Sequence, residues 1–144
     1  MKDMRIYYKL NLARHLLSKR VDSVLASLLG ISSVQIGAIF FLMENDGCML
    51  KELSAGLSLN NSAITGLVAR MEKAGLLSRV PCSMDGRSYR LFLTGKAGEI
   101  GGKALPLLAQ MNERLYAGFT ETELDVVDRF LEHAIKIAKE KGNE

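Results

Sequence analysis

The chain predicts a mainly α protein with a small β-hairpin wing, a winged helix-turn-helix set between N- and C-terminal dimerisation helices. Three observations carry this expectation. Two short helical patterns flank a turn at Asn60; strand-like segments lie on both sides of Pro81 and Asp85-Gly86; and long helices with apolar stripes open and close the sequence. At 144 residues, 48% hydrophobic and 24% charged, the chain has the length for one core and too little for two ordinary domains. We therefore expect a single domain. Residues of about 1–30 and 100–144 would supply the dimerisation helices, and about 31–99 the winged helix-turn-helix lobe.

The elements follow in order. Ile6, Leu10, Ala13, Leu17, Val21, Val24 and Leu28 recur at spacings of three and four, predicting a helix over 4–29. So long a first helix has nothing to pack on in the short elements after it, which points to a partner helix. Gly30 and Ser32 read as a helix stop and a new N-cap. The next helix, 33–44, is apolar through Ile36, Ile39, Phe40, Leu42 and Met43, and Asn45-Asp46-Gly47 ends it. A short helix over 50–56 takes Gly56 as its C-cap. Asn60 caps a further helix to about Ala74, with Ile64, Leu67, Val68 and Met71 inside and Gly75 as its stop.

Residues 76–80 and 88–93 read as the two arms of a hairpin. Thr94 caps a fifth helix to about Gly118, weakened by Gly95, Gly98, Gly101 and Gly102, each costing up to ~1 kcal/mol against alanine. Thr120 and Glu123 form a capping box for a last helix to about Lys141. That helix is apolar on two sides, Leu124, Val127, Leu131 and Ile135 on one and Val126, Phe130 and Ile137 on the other.

Charge and composition exclude several classes. Net charge is +3, with six Lys/Arg against two acids over 1–22, six against three over 51–90, and five against eight over 104–144. A basic middle with an acidic end suits a protein that turns one face to a polyanion. The uncharged run from Ser23 to Met43 has a membrane-span length, but its serines, glutamine and glycines fit two helices joined by a turn. The opening residues lack a secretory core, so a cytoplasmic protein is expected. Two cysteines, Cys48 and Cys82, and two distant histidines give neither a disulfide framework nor metal-ligand spacing. No nucleophile-base or paired-carboxylate arrangement is visible, so no enzyme, cofactor or metal is expected. The glycine-lysine run after Thr94 lacks phosphate-loop spacing.

The hairpin carries the most informative motif. In B-DNA the major groove admits a helix, and the narrow minor groove favours inserted arginine. Arg87, one residue beyond the Asp85-Gly86 turn, suits that role, with Asp85 limiting its rotamers through a charge-assisted hydrogen bond. Arg90 follows on the same arm. On the helix after Asn60, the residues opposite the core are Asn61, Ser62, Thr65, Gly66, Ala69 and Arg70. Asn, Ser, Thr and Arg can read bases or hold phosphates there. Lys51, Lys73 and Arg79 are candidates for backbone contacts.

These residues also carry a resemblance. Asp85-x-Arg87 followed by Leu93-Thr94 resembles the wing of the MarR family of bacterial regulators. The likeness extends through Leu29-Gly30-Ile31, Gln35, Ile64-Thr65, Leu67-Val68, Arg70-Met71-Glu72, Gly75-Leu76-Leu77, Arg79, Lys96 and Gly98, covering about residues 25–100. The resemblance implies a homodimer on a pseudo-palindromic double-stranded DNA operator. It also implies repression as the usual outcome, with release by a small aromatic or phenolic effector or by oxidation. Two departures stand out: Gly66 where relatives commonly carry arginine, and Gly95 where proline is usual. The effector-binding residues are unassigned, and a winged-helix module that binds protein instead of DNA is the alternative.

Overall fold

The chain alternates long amphipathic segments with a compact set of short ones, and the short ones build the lobe that matters for function. The structure, a computed structural model, describes residues 5–82 and 88–140. Its order is α1 (Ile6–Leu29), α2 (Ser33–Glu44), β1 (Cys48–Met49), α3 (Leu50–Leu57), α4 (Asn61–Lys73), β2 (Leu77–Pro81), β3 (Tyr89–Leu93), α5 (Gly95–Tyr116) and α6 (Glu121–Lys139). Two compact units emerge, Met1–Leu107 and Leu108–Glu144. Helix α5 runs through the boundary, which falls just after Pro106, a proline inside that helix.

Helix α1 ends at Gly30, whose φ of 68° supplies the left-handed residue of a C-cap. Ser32 and Gln35 then form a reciprocal capping box on α2. Asp22 of α1 accepts the Ser33 amide at 2.6 Å, stapling the two helices across the turn. The uncharged run is thus broken. Among the described residues no single helix is long and apolar enough to cross a membrane; α1 and α2 reach that length only together, with a 78° bend between them.

The core of the first unit collects Leu25, Ile36, Ala38, Ile39, Leu42, Leu53, Ile64, Leu67, Val68, Met71, Leu76, Leu77 and Leu91, all buried. Burying a side chain of this kind contributes roughly 1.5–3 kcal/mol. Two expectations need correction here. Met43 is half exposed, so α2 contributes Ala38 to the core in its place. On α1 the fully buried residue is Leu25, and Leu17 and Leu28 of the expected stripe stay exposed.

The hairpin forms with β2 and β3 antiparallel from Leu77↔Leu93 to Pro81↔Tyr89, one residue later at its start than the pattern suggests. A third strand, β1, pairs Cys48 with Leu91 and Met49 with Arg90, giving the order β1-β3-β2. Gly56 does not cap α3. The left-handed residue is Ser58, φ 52°, and the Leu59 amide returns to the Ser54 carbonyl at 3.0 Å. Gly56 instead lies under the Phe41 ring, where a Cβ would overlap it.

The glycines of α5 divide by what surrounds them. A Cβ on Gly101 would meet Ile39 at 3.1 Å and Met43 at 3.3 Å, so this glycine sets the close approach of α2 and α5. Gly98 has nothing within 4 Å. Gly98→Ala is therefore expected to raise stability by about 0.5–1 kcal/mol through helix propensity. Gly101→Ala loses that gain to crowding against α2. Thermal unfolding of the two variants beside the parent checks this; equal shifts would contradict it.

Candidate nucleic-acid interface

Helix α4 is positioned by its own sequence. Asn60 Oδ1 accepts the Ala63 amide at 2.8 Å and opens the helix, and Gly75, φ 75°, follows its end. Ile64, Leu67, Val68 and Met71 face inward and are buried, which turns Asn61, Ser62, Thr65, Ala69 and Arg70 to solvent, with Gly66 half-buried among them. All six thus lie on the outer side of α4, away from the core. The turn preceding it is tied by Ser54 Oγ, which donates to the Leu59 carbonyl at 2.6 Å.

The far end of α4 is latched to α5. Thr94 Oγ1 donates to the Gly75 carbonyl at 2.6 Å and accepts the Ala97 amide at 3.3 Å. Lys96 Nζ donates to the Ala74 carbonyl at 2.8 Å, placing a cation at the negative end of the α4 dipole. Two hydrogen bonds, from Thr94 Oγ1 to Gly75 and from Lys96 Nζ to Ala74, thus tie the start of α5 to the end of α4.

The cations near α4 fall into two groups. Arg79 on β2 has its Nε 3.3 Å from a Glu72 carboxylate oxygen of α4, and its guanidinium lies 5.9 Å over the Tyr89 ring. The Nε atom is buried and makes no aligned hydrogen bond, so the contact with Glu72 is a charge pairing at a half-exposed site, worth ~0–1 kcal/mol. Arg90 Nη1 donates to the Gly47 carbonyl at 3.0 Å and fastens β3 to the turn before β1. Lys51 and Lys73 are exposed. Asp85, Gly86 and Arg87 lie outside the described residues. The arms leading to them are paired as far as Cys82, whose amide donates to the Ser88 carbonyl at 2.8 Å.

A cavity of about 280 Å³ opens beneath the first turn of α4, floored by Ile64, Val68 and Leu91 and edged by Lys51, Arg79 and Tyr89. The sequence pattern held no sign of it, since its walls come from α3, α4 and all three strands. Cys48 is buried in β1, and burial, with Glu52 and Asp46 nearby, pushes its thiol up. A raised thiol stays protonated and is a poor nucleophile. Among the described residues no three His, Cys, Asp or Glu side chains group as metal ligands.

An amphipathic helix with a polar outer face, held on its scaffold at both ends and followed by a paired hairpin, matches a helix that enters a DNA groove beside a wing. Comparison with known proteins gives the same picture. A model of the MarR family matches residues 29–88. The organic hydroperoxide resistance transcriptional regulator of Bacillus subtilis is 32% identical over 94 residues, spanning 60% of this chain and 64% of that one. A MarR protein from Peptoclostridium difficile superposes with a TM-score of 0.87 at 24% identity, over 96% of this chain and 90% of that one. A MarR family transcriptional regulator from Streptomyces coelicolor, solved in complex with DNA, gives 0.86 at 20% identity, over 94% and 87%.

Proposed function

We propose that the chain, similar over residues 29–88 to the MarR family of transcriptional regulators, is a member of that family and acts in the cytoplasm as a homodimeric, sequence-specific DNA-binding repressor, released by a small aromatic or phenolic effector. The observation that carries this reading is the outer face of α4, where Asn61, Ser62, Thr65 and Arg70 stand exposed opposite four buried residues. In this role α4 enters the major groove and the Asp85–Arg87 wing reaches the neighbouring minor groove. Lys51 and Lys73 neutralise phosphates. Arg79 and Arg90, already held by Glu72, Tyr89 and Gly47, brace the wing and turn their remaining donors to the backbone. No step of this role is catalytic. The long apolar helices supply the dimer, which places two such lobes on a pseudo-palindrome.

The test is a selection of genomic fragments on the purified chain, followed by affinity measurements across salt. A repressor that neutralises six to ten phosphates loses roughly 10³–10⁵ in affinity between 50 and 200 mM salt. An enriched inverted repeat with that steep dependence is the expected outcome. A second reading, a winged-helix module that binds protein, is favoured by one observation: the first two turns of α4 carry no cation on their outer face. No enriched sequence and salt-insensitive capture of a protein partner would select it.

A further inference from the structure

Gly66 is the one reading-face position without a side chain, and Arg70 uses the space. The Arg70 Nη1 atom lies 3.1 Å from the point a Cβ on Gly66 would occupy. The guanidinium therefore folds back one turn towards the helix N-terminus, as helical side chains tend to. At about 100° per residue, Arg70 itself lies on the flank of the exposed face, whereas Gly66 is nearer its midline. Crossing Gly66 carries the charge from the flank towards the middle, among Ser62 and Ala69, two other small residues. No ion pair or hydrogen bond holds the Arg70 guanidinium among the described residues, in contrast to Arg79 and Arg90.

Resting on the DNA-binding reading above, we propose that Arg70 is the base-reading residue of α4, recognising a guanine, and that Gly66 is the positioning residue that sets where its guanidinium lies. A planar guanidinium pairs two-pronged with guanine O6 and N7. It needs a clear approach at the centre of the groove, and a phosphate contact from the flank would need no clearance over Gly66. Ser62 and Ala69, both short, leave the path to the base edge open. The missing side chain at Gly66 is then a specificity device, kept although glycine weakens a helix.

The experiment is a randomised-site selection with the full-length chain and with Arg70→Ala, Arg70→Lys and Gly66→Ala, each also followed by thermal unfolding. The wild type is expected to fix a guanine at one symmetric position in each half-site. Arg70→Ala keeps the other preferences and loses roughly 10- to 100-fold discrimination at that position. Arg70→Lys, which keeps the charge without the fork, does not restore it. Gly66→Ala weakens discrimination at the same position while unfolding at an equal or higher temperature, an outcome a merely structural glycine cannot give. If Arg70→Ala instead lowers affinity equally for every sequence, Arg70 holds a phosphate and the proposal fails. An unchanged preference in Gly66→Ala overturns the positioning role. A wild-type chain that enriches nothing sinks the DNA-binding reading with it, so the two failures are distinguishable.

Discussion

Replacing Arg87 with alanine lowers the affinity of the chain for its operator on the order of 100-fold and leaves its oligomeric state and unfolding temperature unchanged. β2 and β3 pair in register from Leu77↔Leu93 to Pro81↔Tyr89, and the Cys82 amide extends the ladder to Ser88. Arg79, stacked over Tyr89 and paired with Glu72 of α4, fixes this hairpin to the reading helix. The segment carrying Asp85, Gly86 and Arg87 is thus joined to a base whose placement is set by α4 itself. A narrow minor groove concentrates negative potential and rewards an inserted arginine. Losing one such contact costs roughly 1–3 kcal/mol. The proposed homodimer would lose two, which compounds to on the order of 100-fold or more.

Asp85→Ala should cost less, since by the wing proposal it removes a restraint on the arginine and not the arginine itself. Arg90→Ala should act differently again. It deletes the bond to the Gly47 carbonyl, so its loss of affinity comes with a lower unfolding temperature. Fluorescence anisotropy on the selected operator, with sedimentation and thermal unfolding alongside, separates the three. Undiminished affinity in Arg87→Ala would remove the wing from the mechanism.

How much of this was legible beforehand depends on the range over which each feature is encoded. Helix α4 was readable because an N-cap, a 3.6-residue period and a glycine stop all act within one segment. Ser33–Glu44 was bounded for the same reason, by Ser32 at one end and Asn45-Asp46-Gly47 at the other; the Gln35 half of its capping box came only with the structure. Strand β1 was not, because two residues have no period, and Cys48 and Met49 become a strand only by pairing with Leu91 and Arg90.

Gly56 misled because a glycine near a helix end normally signals a cap. Its reason here is the Phe41 ring, a contact from another helix, and Ser58 accepts the left-handed turn. The same holds at the interface. Sequence named Arg70 on the recognition helix, Arg90 on the wing and Arg79 as a backbone contact, yet it could not say that Arg79 and Arg90 are held by Glu72, Tyr89 and Gly47 while Arg70 lies across Gly66. Such assignments depend on rotamers and on neighbours far along the chain.

The second large effect lies in the terminal helix. α6 opens on a complete capping box, Thr120 accepting the Glu123 amide at 3.2 Å and the Thr120 amide donating to Glu123 at 2.9 Å. It is a well-started helix with no buried residue along Glu121–Lys139 in the single chain. Val127, Leu131 and Ile135 are each 41–48% exposed on one side, and Val126, Phe130 and Ile137 are 44–51% exposed on the other. A helix apolar on two faces and covered on neither gains stability only by association, as roughly 25 cal/mol is recovered per Å² of apolar surface removed from water. α1 tells the same story at the opposite end of the sequence, with Leu16 and Leu28 more than half exposed.

Leu131→Asp is therefore expected to convert the proposed dimer to a monomer while the first unit stays folded, since that unit's core draws on none of these residues. Operator affinity falls with the dimer. Joining two reading lobes raises avidity by roughly 10²–10⁴ over a single one, and the monomer forfeits all of it. Glu132→Lys, a larger charge change on the polar strip between the two apolar faces, should leave both properties nearly intact. Analytical ultracentrifugation and operator titration of the two variants decide the matter. A Leu131→Asp chain that still sediments as a dimer would mean that α6 is covered by something other than a second copy.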